Sequence, residues 1–164
     1  MRRQRGFTLL ELVVVIAVTS MLAIILLNRL LYYQEVAEKT AMEMTVMNMR
    51  SGLRLRIADL MTQDRMREAV QLLQENPVTW LESPPPNYMG KVSGQKSAEM
   101  IPGQWYFDPG QQELVYRVQH DRFFKSGTDE ESTIRFHVTA VQYPRQGGKA
   151  EGITLAPVTP YHWF

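Results

Sequence analysis

Glu11 is the residue whose surroundings most need a chemical explanation. It lies in the 21-residue run Phe7 to Leu27, where only Thr8, Glu11, Thr19 and Ser20 are not apolar. A charge inside such a run costs about 3 kcal/mol on insertion scales, so it is normally paired and functional. The other groups able to do chemistry are scattered. His120, His137 and His162 are too far apart for a metal-ligand spacing, and the chain has no cysteine to join them. No serine sits in a Gly-x-Ser-x-Gly setting, and no glycine-rich phosphate loop occurs. Nothing here makes an enzyme, and none is expected. Asp129-Glu130-Glu131-Ser132 is rich in oxygen donors that suit calcium, but it lacks EF-hand spacing and reads as a solvated acidic turn. No cofactor is expected, with calcium at Asp129, Glu130 and Glu131 as the weak candidate. Arg50, Arg54, Arg65 and Arg67 could form a basic strip, but Asp59, Asp64 and Glu68 dilute it. Nucleic acid is therefore not an expected partner.

The element that must position Glu11 is a helix long enough to cross a bilayer, which takes about 20 apolar residues. Arg2, Arg3 and Arg5 precede it and hold that end in the cytoplasm, which places everything beyond Asn28 on the far side. A cleaved secretory signal would end in small residues. Here Asn28-Arg29-Leu30-Leu31-Tyr32-Tyr33 follows, with no Ala-x-Ala and a continuing helical pattern. A plain anchor helix fits the length but leaves Glu11 unexplained.

The short basic leader, Gly6-Phe7-Thr8-Leu9-Leu10-Glu11 and the apolar helix after it together resemble the class III signal of type IV pilins and type II secretion pseudopilins. The resemblance implies that a prepilin peptidase cuts between Gly6 and Phe7 and methylates the new amine of Phe7. It also implies that Glu11, about 6 Å along the helix from Phe7, faces the N-terminal amine of a neighbouring subunit. Two charges that are each costly in lipid offset one another when paired there. The implied organisation is a leader at 1–6, a transmembrane and filament-core helix at 7–27, and a periplasmic pilin-like head at 28–164. The chain would be a single-pass protein of the bacterial inner membrane. Its partners would be other pilin or pseudopilin subunits, prepilin peptidase, the inner-membrane assembly platform and membrane lipid.

Two departures refine this expectation. Many members carry a proline where this chain has Asn28, so a helix-melting role there does not transfer. Many pilins also close a C-terminal loop with a disulfide, which a cysteine-free chain cannot do. The second departure favours a minor pseudopilin or minor pilin, a structural subunit of a type IV pilus-like or type II secretion filament. The alternatives are a filament-tip adhesin or DNA-binding minor pilin, and a plain membrane-anchored periplasmic domain.

Composition agrees with one modest domain behind the span. Of the 164 residues, the 18 Lys and Arg fall to 15 once the leader is removed, against 17 Asp and Glu, a formal balance of −2. The basic character therefore belongs to the leader rather than to a nucleic-acid surface.

The remaining chain predicts an α+β fold, a long helix packed against a small antiparallel sheet. No proline precedes Pro77, and a helix from Phe7 to about Ala58 would be roughly 75 to 80 Å long. Tyr33, Ala37, Ala41, Met44, Met47, Ser51, Leu55 and Ala58 recur at helical spacing. They are expected to face the head's core, with neighbouring stems as the other surface they could serve. Glu35, Glu38, Lys39, Glu43, Arg50 and Arg54 are expected on the wetter side. Gly52 costs such a helix about 1 kcal/mol and, with Ser51, is the expected kink. A second amphipathic segment is predicted over about 62–75, with Met66, Ala69, Val70, Leu72 and Leu73 as its apolar side and Asn76-Pro77 as its end. Trp80, Leu81 and Tyr88, in the long segment from Pro77 to Met100, are expected to fold back onto the head. Trp105 to Val118 reads as a hairpin around Pro109-Gly110, and 133–141 alternates as a third strand. The Trp-Tyr-Phe-Asp-Pro and Leu-Val-Tyr-Arg-Val pieces also resemble the sheet of minor pseudopilins. Ile153-Thr154-Leu155 reads as a short strand, and the terminal Tyr161-His162-Trp163-Phe164 is expected to pack down.

Overall fold

The computed structural model describes residues 8–92, 101–127, 132–145 and 148–164; for 142–145 and 148–151 only the backbone is described. Two compact units divide the chain, Met1–Ala37 and Glu38–Phe164. One helix, α1 (Leu9–Thr62), supplies the described part of the first and opens the second. Proline is absent throughout it, and its first turn is capped by the Thr8 side chain.

In the head, α1 is followed by two short 3-10 segments, Met66–Leu73 and Pro77–Trp80. Asn76-Pro77, expected as the end of the preceding segment, also starts the second: the Asn76 side chain accepts a hydrogen bond from the Val78 N–H at 3.1 Å, with Pro77 in the first turn. Among the described residues seven strands follow: β1 (Tyr88–Lys91), β2 (Trp105–Asp108), β3 (Glu113–Arg117), β4 (Phe124–Ser126), β5 (Thr133–Arg145), β6 (Gly148–Pro157) and β7 (Tyr161–Trp163). Five form one sheet in the order β1-β2-β3-β5-β6, and β4 and β7 pair as a separate ribbon. The β2–β3 hairpin is closed by Asp108, whose carboxylate accepts from the Gly110 N–H at 2.8 Å.

The fold is α+β and pilin-like, a long helix packed on an antiparallel-rich sheet. Met42, Val46 and Met49 of α1 meet Trp105, Phe107, Leu114, Tyr116, Ile134, Phe136, Val138 and Leu155 in one core. Trp80, Leu81 and Tyr88 pack against it from the side, as expected.

Several expectations are corrected. The sheet is larger than a three-stranded meander, and its β1 edge runs parallel to β2. The strand at 133–141 extends to Arg145, and the one at Ile153 is ten residues long because the two form one hairpin. The second amphipathic segment is a 3-10 helix that starts at Met66. Ala69 and Leu72 are buried, whereas Met66 and Val70 are exposed.

Gly52 is not a break. Helix α1 runs through it, and the residue is buried against the second 3-10 segment. A Cβ placed there would lie 2.5 Å from the Trp80 carbonyl oxygen, so hydrogen is the only side chain that fits without movement.

The largest correction concerns the faces of α1. Met42, Val46, Met49, Leu53 and Leu60 turn inward, while the expected core stripe of Ala41, Met44, Met47, Ser51, Leu55 and Ala58 is exposed. Both rows have helical spacing and lie on opposite sides, so periodicity alone could not choose between them. Of the residues expected on the wetter side, Glu43 and Arg54 are exposed, whereas others are drawn in. Glu35 is 1% exposed, and the Arg50 guanidinium donates from Nε to the Leu155 carbonyl at 2.9 Å.

Candidate assembly interface

The N-terminal unit is built around the first turn of α1. Thr8 precedes the helix and its Oγ1 accepts from the Glu11 N–H at 3.2 Å, while its carbonyl accepts from the Leu12 N–H at 3.1 Å. Thr8 and Glu11 thus stand at N-cap and N3, the spacing of a capping box. A carboxylate in the first turn also faces the positive end of the helix dipole. The helix therefore tolerates Glu11 locally, and its carboxylate stays exposed for a further partner.

From Leu9 to Gln34 every residue of α1 is exposed. Leu9 and Leu10 are 81% and 75% exposed, and Val13 to Leu31 continue in the same way. Among the described residues this is the one helix long and apolar enough to cross a membrane. Its hydroxyls are suited to that setting: Thr19 Oγ1 donates to the Val15 carbonyl at 2.8 Å and approaches that of Ile16 at 3.1 Å.

The head continues the theme with the exposed face described above. Met47 and Leu55 are 54% and 72% exposed, and Ser51 Oγ is turned back onto the Met47 carbonyl at 3.0 Å. From Ala41 to Ala58 this side is lined by small or flexible side chains, with the exposed Arg54 at its margin, which allows another helix to approach closely.

Sequence reasoning missed Glu38, assigning it to the wetter side. Its carboxylate is the best-partnered group in the described head. Oε1 accepts from Tyr116 Oη at 2.9 Å and the Gln119 N–H at 2.6 Å; Oε2 accepts from the His120 N–H at 2.9 Å and meets His120 Nδ1 at 2.7 Å. Next to it, Lys39 Nζ donates to the Trp163 carbonyl at 2.8 Å. Adjacent residues of α1 thus hold the loop after β3 and the last strand. No spacing rule would have found Glu38, because all its partners are more than 75 positions away.

Burial, reinforced by the Glu38 charge and hydrogen bond, pushes the Tyr116 hydroxyl pKa well up; burial first, then the Glu43 charge, raises that of Tyr161. Both must be neutral in the fold, so stability is full below the unfolded tyrosine pKa of about 10 and falls as pH rises above it. Urea midpoints should drop between pH 9 and 11 by roughly 1 M, and Tyr116→Phe should flatten that drop. An unchanged slope in the variant would remove Tyr116 as its cause.

Of the other anticipated site residues, Gly6, Phe7, Asp129, Glu130 and Glu131 lie outside the described residues. His120 is bound to Glu38, and His137 Nδ1 is buried. Among the described residues no group of three His, Asp or Glu side chains is placed to hold a metal ion.

Residues 1–27 match the family model described as the prokaryotic N-terminal methylation motif. No curated protein and no solved structure matches the chain. The chain carries a class III prepilin signal, consistent with the pilin and pseudopilin family, and the motif indicates a pilin-type subunit processed by prepilin peptidase. The signal and the uncovered apolar helix together point to membrane anchoring.

Proposed function

We propose that the chain is a minor pseudopilin or minor pilin, a non-enzymatic subunit that assembles into a type IV pilus-like or type II secretion filament. The observation that carries this reading is the methylation motif running directly into an uncovered apolar helix with Glu11 in its first turn. In the proposed mechanism, prepilin peptidase removes 1–6 and methylates Phe7. Residues 7–27 wait in the inner membrane with the head, 28–164, in the periplasm, until an assembly platform transfers the subunit. Apolar side chains then leave lipid for protein, which supplies little net free energy. Pairing of Glu11 with a neighbour's amine decides entry, and the exposed α1 face from Ala41 to Ala58 gives neighbours a place to pack.

Mass spectrometry of the mature N-terminus tests the first step. A chain beginning at methylated Phe7 is expected; an intact Met1, or cleavage elsewhere, would leave a plain anchor. Glu11→Ala should be processed normally yet enter filaments about tenfold less, a difference near 1.4 kcal/mol. Normal incorporation of that variant would sink the pairing role.

A further inference from the structure

The outward row of α1 in the head has a tighter pattern than a helical face requires. Ala41, Met44, Asn48, Ser51, Leu55, Ala58 and Thr62 alternate three and four apart over three heptads, the a and d positions of a coiled-coil seam, and all are exposed. Met42, Val46, Met49 and Leu53 are buried on the opposite side. Within the seam, Ser51 Oγ donates to the Met47 carbonyl at 3.0 Å and Thr62 Oγ1 to that of Ala58 at 2.9 Å, so neither hydroxyl needs a partner from outside. Asn48, at an a position, is the exception. Its amide makes no hydrogen bond among the described residues. At the margins stand Arg54, at g, and Asp59, at e, both exposed. Arg54 makes no hydrogen bond or ion pair among the described residues, and Asp59 accepts from Gln63 Nε2 at 2.7 Å through one of its two oxygens. Glu43, Arg50 and Arg56 fall at b and c, outside the seam.

We propose that this seam pairs with the same seam of a second copy of the chain, the two helices parallel and in register. Each Asn48 then meets its twin, amide to amide, and a single asparagine at an a position is a known means of fixing register and strand number. Arg54 of one copy falls beside Asp59 of the other, because g reaches the e position five residues further along, and symmetry forms the pair twice. An antiparallel pair sets g against g and e against e, so neither match forms. A groove beside the seam fits the same arrangement. On the e flank, at the level of Thr45 and Asn48, an open groove of about 440 Å³ lies between α1 and segment 81–86. The side chain that a parallel second copy brings to that level on that flank is its Met47, which is long, apolar and adaptable. Small residues at Ala41, Ser51 and Ala58 let the helices come close but bury little area, so the pair forms where a membrane concentrates the chains. The pairing rests on the proposed role of this face in packing against neighbours. Its test needs neither peptidase nor filament, so failure of one is distinguishable from failure of the other.

Disulfide cross-linking of the full chain, reconstituted in vesicles at a low protein-to-lipid ratio, tests the pairing, and the cysteine-free background makes each introduced site unique. On mild oxidation with diamide, Met44→Cys and Leu55→Cys should each link to their own twins about tenfold faster than Met89→Cys, an exposed strand position elsewhere on the head. An antiparallel pair cannot bring both sites to their twins, because they lie about 16 Å apart along the helix. Arg54→Asp should slow the Leu55→Cys link about fivefold, and adding Asp59→Arg, which restores opposite charges, should recover it. Asn48→Leu should loosen the register, so that chains carrying Met44→Cys begin to link to chains carrying Ser51→Cys, one heptad away. Linking at Met44 or Leu55 no faster than at Met89 would overturn the proposal and leave the face to a different chain. So would a charge exchange that fails to recover the link, and links that stay confined to like sites in Asn48→Leu would remove the asparagine from its role.

Discussion

Glu38→Ala is expected to lower the unfolding free energy by about 3 to 5 kcal/mol, the cost of breaking a largely buried charge network. The substitution leaves the Tyr116 hydroxyl and the N–H groups of Gln119 and His120 without the acceptor they share. Each buried donor left unmatched costs about 1 to 3 kcal/mol, and water reaching the loop after β3 recovers part of the sum. Glu38→Gln keeps a carbonyl acceptor but loses the charge and one acceptor oxygen, so it should fall roughly midway. Urea titration of the detergent-solubilised chain, followed by tryptophan fluorescence, measures both. A loss below about 1 kcal/mol for the alanine variant, the worth of one ordinary hydrogen bond, would show that the loop is held by something else.

Gly52→Ala should destabilise the head by about 2 kcal/mol, although alanine in a helix interior normally gains about 1 kcal/mol over glycine. The two terms oppose, and contact distance decides between them. The added Cβ would meet the Trp80 carbonyl oxygen at 2.5 Å and its Cβ at 2.9 Å. Backbone cannot rotate aside as a side chain can, so α1 and the 3-10 turn must separate. Overpacking of this kind costs about 1 to 3 kcal/mol or more, and Gly52→Val should cost more than alanine. A stabilised Gly52→Ala would mean that the Pro77–Trp80 segment shifts freely.

What the sequence made legible follows the range of each signal. The long helix, the β2–β3 hairpin and the inward row Ile134, Phe136 and Val138 depend on neighbours in the chain, and each stands where its pattern predicts. The choice of buried face on α1 depends on a sheet more than 40 residues away. The helix carries one apolar row on each side, so the Met44–Leu55 side seemed the core until the sheet chose the Met42–Met49 side. In sequence Gly52 shows its helix cost but not its contact, which depends on where Trp80 returns. At the candidate interface, the motif and Glu11 were visible because they are local, whereas Glu38 looks in sequence like any solvated glutamate.

The fastening of the last strand has its own consequence. In this cysteine-free head, β7 is held by strand pairing, ring contacts and the Lys39 bond to Trp163 rather than by a covalent clasp. Reductants have no hold over it, and refolding need not wait for oxidation. Without a crosslink to shrink the unfolded ensemble, what keeps the segment in place is the burial of Trp163 in the shared core and its pairing with β4.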